Sequence, residues 1–271
     1  MRSWVQGTKA HGATVGFVPT MGALHRGHIS LIERAKEQCE KVVVSIFVNP
    51  TQFNNPEDLK KYPRHLEQDS AMLEAAGCDV LFHPSVLEMY PKPGQKKHWD
   101  FGPVSNTLEG EFRPGHFDGV LTIVQKLFEA VEPDMAFFGE KDFQQLTLIK
   151  KMTIKEKLPV EVVACPSIRE STGLAMSSRN MRLSKEEYQN AHAISRTLFF
   201  MKENQSLYTP DELQNKGQQI LASSQGVQME YLRIVDSETF LPLREWNVDV
   251  KPVVLIAAFV GDVRLIDNII L

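Results

Sequence analysis

Residues 14–48 read TVGFVPTMGALHRGHISLIERAKEQCEKVVVSIFV, and this stretch decides the fold. It begins with strand-forming residues at Thr14–Val18. Apolar residues then recur at the spacing of one helix face, at Ile29, Ile32, Ala35 and Cys39. The stretch closes on the near-continuous apolar run Val42–Val48, which is typical of a parallel strand buried on both faces. Strand, helix and strand in this order predict a βαβ unit.

The alternation of strands and helices continues to about residue 166. Helices are predicted at His65–Ala76, Gly119–Val131 and Phe143–Met152, and strands at Asp79–Phe82, Met135–Phe138 and Val160–Ala164. Repeated strand-then-helix order predicts an α/β fold with a Rossmann-like, doubly wound parallel sheet. In such sheets, ligands bind beyond the carboxyl ends of the strands.

The pattern changes after about Asn180. Two helices with polar faces are predicted at Ser184–Lys202 and Pro210–Ser223. Three strands separated by turn residues are predicted at Gln228–Val235, Pro252–Val260 and Val263–Ile266. We therefore expect a domain over residues 1–176 and a smaller C-terminal α+β domain over residues 177–271.

Composition excludes several classes of protein. The 271 residues include 30 Lys and Arg against 34 Asp and Glu, a net charge of −4, which gives no basic field for a nucleic acid partner. The longest apolar run, Val253–Val260, is too short for a membrane span of about 20 residues. Three scattered cysteines and a polar N-terminal segment predict a cytoplasmic protein without membrane contact.

The turn after the first strand, PTMGALHRGH at residues 19–28, stands where phosphates bind in such folds. Gly22 and Gly27 allow the backbone to approach a ligand. His25 and His28 are three residues apart and should lie on the same side of a helical turn. Two imidazoles there can donate hydrogen bonds to phosphate oxygens and stabilise charge in a transition state. The alternative is a pair of surface histidines that cap a helix.

Two further segments follow predicted strands. In FVNPTQF at residues 47–53, Gln52 offers a donor and an acceptor that suit a small polyol acid, although a hydrogen-bonded turn with its corner at Pro50 is the alternative. In FGEKDFQQ at residues 138–145, Lys141 can neutralise phosphate charge and Asp142 can bind ribose hydroxyls. A solvated charged face is the alternative there.

A fourth segment, LAMSSRN at residues 174–180, is predicted to be the loop between the two domains. The hydroxyls of Ser177 and Ser178 beside the Arg179 guanidinium could grip a triphosphate. An ordinary serine-rich linker is the alternative. The chain has no Gly-x-Gly-x-x-Gly, P-loop or Gly-x-Ser-x-Gly motif, which argues against dinucleotide redox enzymes, P-loop NTPases and α/β hydrolases. Cys165 is predicted to be a buried structural thiol.

These motifs together resemble a known family. The pair HRGH at 25–28 and MSSR at 176–179 resembles the HxGH and KMSKS-type motifs of adenylate-forming nucleotidyltransferases. The match then narrows to the pantoate–β-alanine ligases, or pantothenate synthetases. It rests on PTMGALH at 19–25, FVNPTQF at 47–53, RPGHFDG at 113–119, FGEKDFQQ at 138–145, MSSRN at 176–180 and RLIDN at 264–268.

The resemblance implies an activity and an organisation. Members condense (R)-pantoate with β-alanine, using ATP and Mg²⁺, through a pantoyl-adenylate intermediate, and release AMP and pyrophosphate. It implies a nucleotide- and pantoate-binding domain of the HxGH nucleotidyltransferase type over residues 1–176 and a lid domain over 177–271. Members usually form homodimers. Only 18 residues precede Pro19, fewer than members commonly carry. We therefore expect either that a strand and a helix of the family are missing here or that the start is misassigned.

The resemblance also implies site residues. The catalytic residues would be His28, His25 and Lys141. The ATP-binding residues would be Met21, Gly22, Ala23, Leu24, His25, Arg26, Gly27, His28, Gly139, Glu140, Lys141, Asp142, Ile168, Met176, Ser177, Ser178 and Arg179. Gln52 and Gln145 would bind pantoate, Gln52 would also bind β-alanine, and Asp69 would contact Mg²⁺.

Three other functions remain open at this point. Another HxGH adenylyl- or cytidylyltransferase would need a further basic cluster for its acceptor phosphate, whereas the chain offers Gln52 and Gln145. A class I aminoacyl-tRNA synthetase would need more basic surface for tRNA. A non-catalytic ATP-binding sensor could dispense with His28 and Lys141, yet both are present.

Overall fold

The computed structural model describes residues 1–92 and 94–271 and divides them into two compact units. The first comprises Met1–Glu140 and Gln144–Pro166, and the second comprises Lys141–Phe143 and Ser167–Leu271. Apart from Lys141–Phe143, the chain passes from the first unit to the second after Pro166, ahead of the boundary expected at residue 176. The functional domain limits stay a prediction.

The first unit is built on a parallel sheet of five strands in the order β3-β2-β1-β4-β5. The strands are β1 Val15–Thr20, β2 Lys41–Ile46, β3 Val80–Phe82, β4 Met135–Gly139 and β5 Glu161–Cys165. The strand order reverses on either side of β1, so the loop after β1 opens at the switch point of the sheet. The predicted doubly wound sheet is confirmed.

Helices precede and connect these strands. Their bounds are α1 Arg2–Ala10, α2 Arg26–Gln38, α3 Pro56–Lys61, α4 Leu66–Ala75, α5 Val86–Met89, α6 Pro103–Asn106, α7 Glu109–Phe112, α8 His116–Val131 and α9 Phe143–Lys155, with 3-10 helices at Pro50–Gln52 and Glu140–Asp142. On α2, Ile32 and Ala35 are fully buried and join the cluster that also contains Val18 of β1 and Val42 of β2. The helical spacing read from the sequence is therefore the buried face of α2.

Helix α8 begins earlier than the predicted Gly119. Gly115 caps it in the left-handed conformation, with φ +76°, and the helix then runs from His116. Gly119 lies inside the helix. The position requires glycine, because a Cβ there would come within 2.8 Å of the backbone nitrogen of Gln52. This glycine therefore marks a close approach of two backbones, not the start of a helix.

The second unit has the predicted α+β architecture, in which helices pack against an antiparallel sheet. It contains α10 Lys185–Glu203 and α11 Pro210–Ala222, 3-10 helices at Ser178–Arg182 and Gln205–Leu207, and the antiparallel sheet β6 Val227–Asp236, β7 Pro252–Val260 and β8 Val263–Ile270. Ile194 and Leu198 of α10 pack in one buried cluster with Leu213 of α11 and Ile256 of β7. Capping boxes at Ser184 and Thr209 begin the two helices.

Strand β8 is longer than the predicted Val263–Ile266. It continues through Asp267 and Asn268, which are 3% and 7% exposed. Polar residues end the apolar pattern in the sequence, but here both side chains have partners inside the unit.

The opening segment forms α1, and no strand precedes β1 among the residues that the structure describes. Both alternatives stated for the short N-terminal segment, that a strand and a helix of the family are missing or that the start is misassigned, stay predictions. Within residues 1–92 and 94–271, no helix is long and apolar enough to cross a membrane.

Candidate active site

The loop after β1 is strained in a specific way. Gly22 and Ala23 both adopt the left-handed conformation, with φ +80° and +50°. For Ala23 this costs free energy that the surroundings must offset. Gly22 is required because a Cβ there would lie 3.0 Å from a carboxylate oxygen of Asp69 and 3.1 Å from Ile46 Cγ2.

Asp69 of α4 holds this loop. Its Oδ2 accepts a hydrogen bond from the backbone N–H of Ala23, and its Oδ1 accepts one from Leu24, each at 2.8 Å. The residue is 2% exposed. The backbone N–H groups and the buried carboxylate therefore satisfy one another, and the loop is fixed by a residue 45 positions away from Leu24 in sequence. This geometry does not favour the Mg²⁺ contact predicted for Asp69.

The two histidines follow directly at the start of α2. His25 is the N-cap; its Nδ1 accepts from Gly27 N–H at 3.1 Å, and Nδ1 of His28 accepts from His25 N–H at 3.2 Å. The ring centroids are 4.1 Å apart, which confirms that the rings share one side. Because both Nδ1 atoms accept, each neutral ring carries its proton on Nε2 and presents an Nε2–H donor.

Both interpretations of this turn hold at once. The histidines do cap the helix, as the structural alternative proposed, and the same caps set the orientation of their Nε2–H groups. Arg26 turns to the helix surface, where its guanidinium pairs with Glu33 at 2.5 Å. The contact of Arg26 with ATP stays a prediction.

Gln52 lies in a buried polar cluster at the end of β2. Its Oε1 accepts from Asn49 Nδ2 at 3.0 Å, and its Nε2 lies 3.0 Å from Met21 Sδ in the loop after β1. Asn49 Nδ2 also donates to the carbonyl of Gly119 at 3.1 Å. The structure thus brings Gln52 beside the histidine-bearing loop and ties it to α8.

Sequence reasoning missed two residues of this cluster. The hydroxyl of Tyr90 donates to Asn49 Oδ1 at 2.9 Å, and burial raises the pKa of that phenol. Nδ1 of His116 lies 2.8 Å from the carbonyl oxygen of Gln52. The RPGHFDG motif contains His116 and could have identified it, whereas no motif contains Tyr90.

The segment after β4 forms a 3-10 helix, Glu140–Asp142, before α9. Nζ of Lys141 lies 4.0 Å from a carboxylate oxygen of Asp142. The two glutamines that follow have different surroundings. Gln144 is 3% exposed and its amide is used by Glu109 N–H and two backbone carbonyls, while Gln145 is only half-buried. Of the pair, Gln145 is the one that can reach a ligand.

The MSSR segment lies in the second unit, where Ser178 and Arg179 begin a 3-10 helix; its place between two functional domains stays a prediction. Ser177 caps a 3-10 helix, Ser178–Arg182, and its Oγ accepts from Arg179 N–H at 3.2 Å. Met176 N–H donates to the carbonyl of Ile168 at 3.0 Å, which pins the segment to the preceding chain.

Within the second unit, Asp267 lines the same pocket as Lys141 and is paired with Arg169. Arg169 makes a bidentate contact with Asp267, with N–O distances of 2.6 and 3.0 Å. Burial raises the pKa of the Asp267 carboxyl, and the Arg169 guanidinium limits that rise.

Cys165 of the first unit is buried, as predicted, and burial raises the pKa of its thiol to about 11. It is therefore protonated and unreactive at neutral pH.

A metal cluster is not preformed in the described ranges, where no three His, Cys, Asp or Glu side chains are grouped to hold an ion. The fold and the site define an α/β protein of the class that carries a His-x-Gly-His turn at the sheet's switch point. The profile of the pantoate-beta-alanine ligase family matches residues 1–270. The chain belongs to this family.

Individual relatives agree. The chain is 51% identical to pantothenate synthetase of Bacteroides fragilis over 96% of this chain and 92% of that one. It is similar to the crystal structure of pantothenate synthetase from Thermus thermophilus, with a TM-score of 0.90, 44% identity, and coverage of 98% and 96%. It is also similar to the Francisella tularensis pantoate-beta-alanine ligase, complexed with beta-gamma ATP and beta-alanine, with a TM-score of 0.81, 36% identity, and coverage of 99% and 95%.

Asp69→Asn tests the anchor of the loop. The amide keeps the size of the side chain but turns an NH₂ group toward one backbone N–H, so we expect a loss of about 1–3 kcal/mol in the free energy of unfolding. Urea unfolding measures this loss, and amide exchange at Ala23 and Leu24 should accelerate. Glu67→Gln, on the exposed face of the same helix, is the matched control. Equal stability of the two variants would contradict the anchoring role.

Proposed function

We propose that this chain joins (R)-pantoate to β-alanine with consumption of ATP, in two steps. A pantoate carboxylate oxygen attacks the α-phosphorus of ATP, the bond from that phosphorus to the bridging oxygen breaks, and pyrophosphate leaves. The β-alanine amine then attacks the acyl carbon of pantoyl adenylate, loses a proton, and expels AMP. The observation that carries the proposal is the paired His25 and His28 turn in a chain of this family.

Activation as an adenylate has a physical reason. A carboxylate is a poor acyl donor until one oxygen becomes part of a good leaving group, which AMP provides. Holding both reactants in place removes the entropic cost of their encounter. Exclusion of water protects the adenylate from hydrolysis.

The histidines are proposed to act as fixed donors. With Nδ1 occupied by backbone N–H groups, the Nε2–H of His28 is oriented before ATP arrives. His28 would stabilise charge that grows on the phosphate oxygens in the transition state, and His25 would bind the adjacent phosphate. The rest of the loop, Met21–His28, would contact ATP through its backbone, as the loop's glycines allow.

Lys141 is proposed to neutralise charge at the α-phosphate in both steps, since its ammonium is a compact charge on a flexible stem. Glu140 would also contact ATP. Gly139, Asp142 and Ile168 would line the nucleoside. Met176, Ser177, Ser178 and Arg179 would bind the β- and γ-phosphates. The support is chemical, because hydroxyl and guanidinium groups are the donors that phosphates require.

Gln52 and Gln145 are proposed to bind pantoate. An amide can donate to a carboxylate or accept from a hydroxyl, and pantoate has both groups. Gln52 would also contact β-alanine. Its contacts with Asn49 and Met21 support the proposal, because they hold the Gln52 amide beside the histidine-bearing loop.

Three further properties belong to the proposal. Mg²⁺ would accompany the ATP phosphates; Asp69 is a poor direct ligand, because its side chain is buried and both oxygens already accept a backbone N–H. The protein is proposed to be cytoplasmic, which its three free thiols support. A homodimer is proposed from the family resemblance alone.

The activity is tested by pyrophosphate release. With ATP, Mg²⁺ and (R)-pantoate, we expect release that depends on pantoate; AMP and pantothenate should appear once β-alanine is added. A coupled pyrophosphate assay and chromatography of the products measure both steps. ATP binding without pantoate-dependent release would overturn the proposal and favour another acceptor or a binding protein.

His28→Asn isolates the Nε2–H donor. Asn can replace Nδ1 as the acceptor for His25 N–H but has no group at the Nε2 position. We expect the rate of adenylate formation to fall about 10²-fold or more, the scale of losing one transition-state donor, with little change in stability. Single-turnover kinetics measure the rate, and His11→Ala, in the turn after α1, is the control. Near-normal turnover of His28→Asn would refute the assigned role.

Gln52→Ala tests pantoate binding. The amide is proposed to contact the acid and not the nucleotide, so KM for pantoate should rise by about tenfold or more, the cost of one hydrogen bond to a charged group. KM for ATP should change far less. Steady-state kinetics with each substrate varied measure both constants, and the neighbouring Asn54→Ala is the control. Equal increases for pantoate and ATP would argue against this assignment.

A further inference from the structure

Strand β8 carries two adjacent polar side chains that the interior of the second unit would not tolerate without partners. Asp267 and Asn268 are almost completely buried. A buried carboxylate or amide costs several kcal/mol unless hydrogen bonds replace its water. Neighbouring residues of a strand point to opposite faces, so the two side chains serve different parts of the unit.

Asp267 connects to the chain that leads into the MSSR segment. The Arg169 guanidinium binds both Asp267 oxygens and also donates to the carbonyls of Gly173 and Asn268, each at 3.0 Å. An isolated antiparallel β-bridge pairs Arg169 with Ala175 and closes the turn between them. Ser177 follows two residues after that bridge.

Asn268 connects to Lys141. Its Nδ2 donates to the carbonyl oxygen of Lys141 at 2.8 Å, across 127 residues of sequence. Its own backbone N–H donates to Asp267 Oδ1 at 2.7 Å. A single rigid strand thus contacts the lysine and, through Arg169, the chain before Ser177.

Residues connected by these contacts line one cavity. Lys141, Ser177, Asn180 and Asp267 line a small pocket of the second unit. Lys141 and Ser177 therefore face one cavity of this unit, together with Asp267 of β8.

We propose that Asn268 is a positioning residue for Lys141, and that the Arg169–Asp267 pair is its counterpart for the Ser177–Arg179 segment. Through them β8 fixes the distance between the ammonium and the hydroxyl and guanidinium donors that bind the phosphates. This inference rests on the proposed function of Lys141. Asn268 itself touches no substrate; it acts by fixing the Lys141 backbone.

The test is a double-mutant cycle on adenylate formation in the full-length protein. Asn268→Ala should lower the single-turnover rate about tenfold, with KM for pantoate unchanged. Lys141→Ala should lower it about 10²-fold. If Asn268 acts through the ammonium, the double variant should be within about twofold of Lys141→Ala, because no ammonium remains to be misplaced. Glu230→Gln, which breaks the Glu230–Arg264 ion pair on the same sheet, is the control and should keep the full rate.

Each outcome has one meaning. An undiminished tenfold cost of Asn268→Ala in the Lys141→Ala background would overturn the proposal, as would a normal rate for Asn268→Ala. If Lys141→Ala itself turns over normally, the role of Lys141 and this inference fail together, while pantoate-dependent pyrophosphate release by the unaltered protein would keep the proposed reaction intact. Should Asn268→Ala not fold, Asn268→Gln, which moves the amide by one methylene, enters the same cycle with the same expectations.

Discussion

The contact of the Asp69 carboxylate with the backbone N–H groups of Ala23 and Leu24 is the interaction on which the candidate site depends. Two successive left-handed residues leave these N–H groups pointing to one place, and the buried carboxylate fills it. Neither partner could be buried at low cost without the other. Because the loop runs directly into the N-cap His25, the same contact determines where α2 begins and where both imidazoles stand.

Buried polar groups are satisfied in the same way in the second unit. The Arg169–Asp267 pair and the Asn268 amide lie on or against a strand that is otherwise largely apolar, and each is matched by hydrogen bonds. Replacing such a network by apolar residues would often be neutral for stability. Its presence on the strand that contacts Lys141 is explained better by the need for one fixed geometry than by stability alone.

Much of the fold follows from local patterns. The helical spacing in α2 and the apolar run of β2 are one-dimensional signals, and both elements lie where the sequence places them. The patterns failed where long-range contacts override them. The amphipathic pattern predicts that a helix starts at Gly119, although this residue lies inside α8, where the backbone approaches that of Gln52. The apolar pattern predicts that β8 ends at Ile266, although it continues through Asp267 and Asn268, whose burial Arg169 and the Lys141 carbonyl make possible. Two residues of the MSSR segment, Ser178 and Arg179, begin a 3-10 helix that no periodic pattern indicates.

The sequence by itself determined the fold class, the order of the elements, and the motifs that place the chain in its family. These depend on residue type and spacing, which are local properties. Only the tertiary structure decided which nitrogen of each histidine carries the proton, that Asp69 holds the loop, and that Tyr90 and His116 join the Gln52 cluster. Such contacts join residues far apart in the chain. Packing and the requirement that buried polar groups form hydrogen bonds determine which residues pair. Neither factor produces a periodic pattern in the sequence.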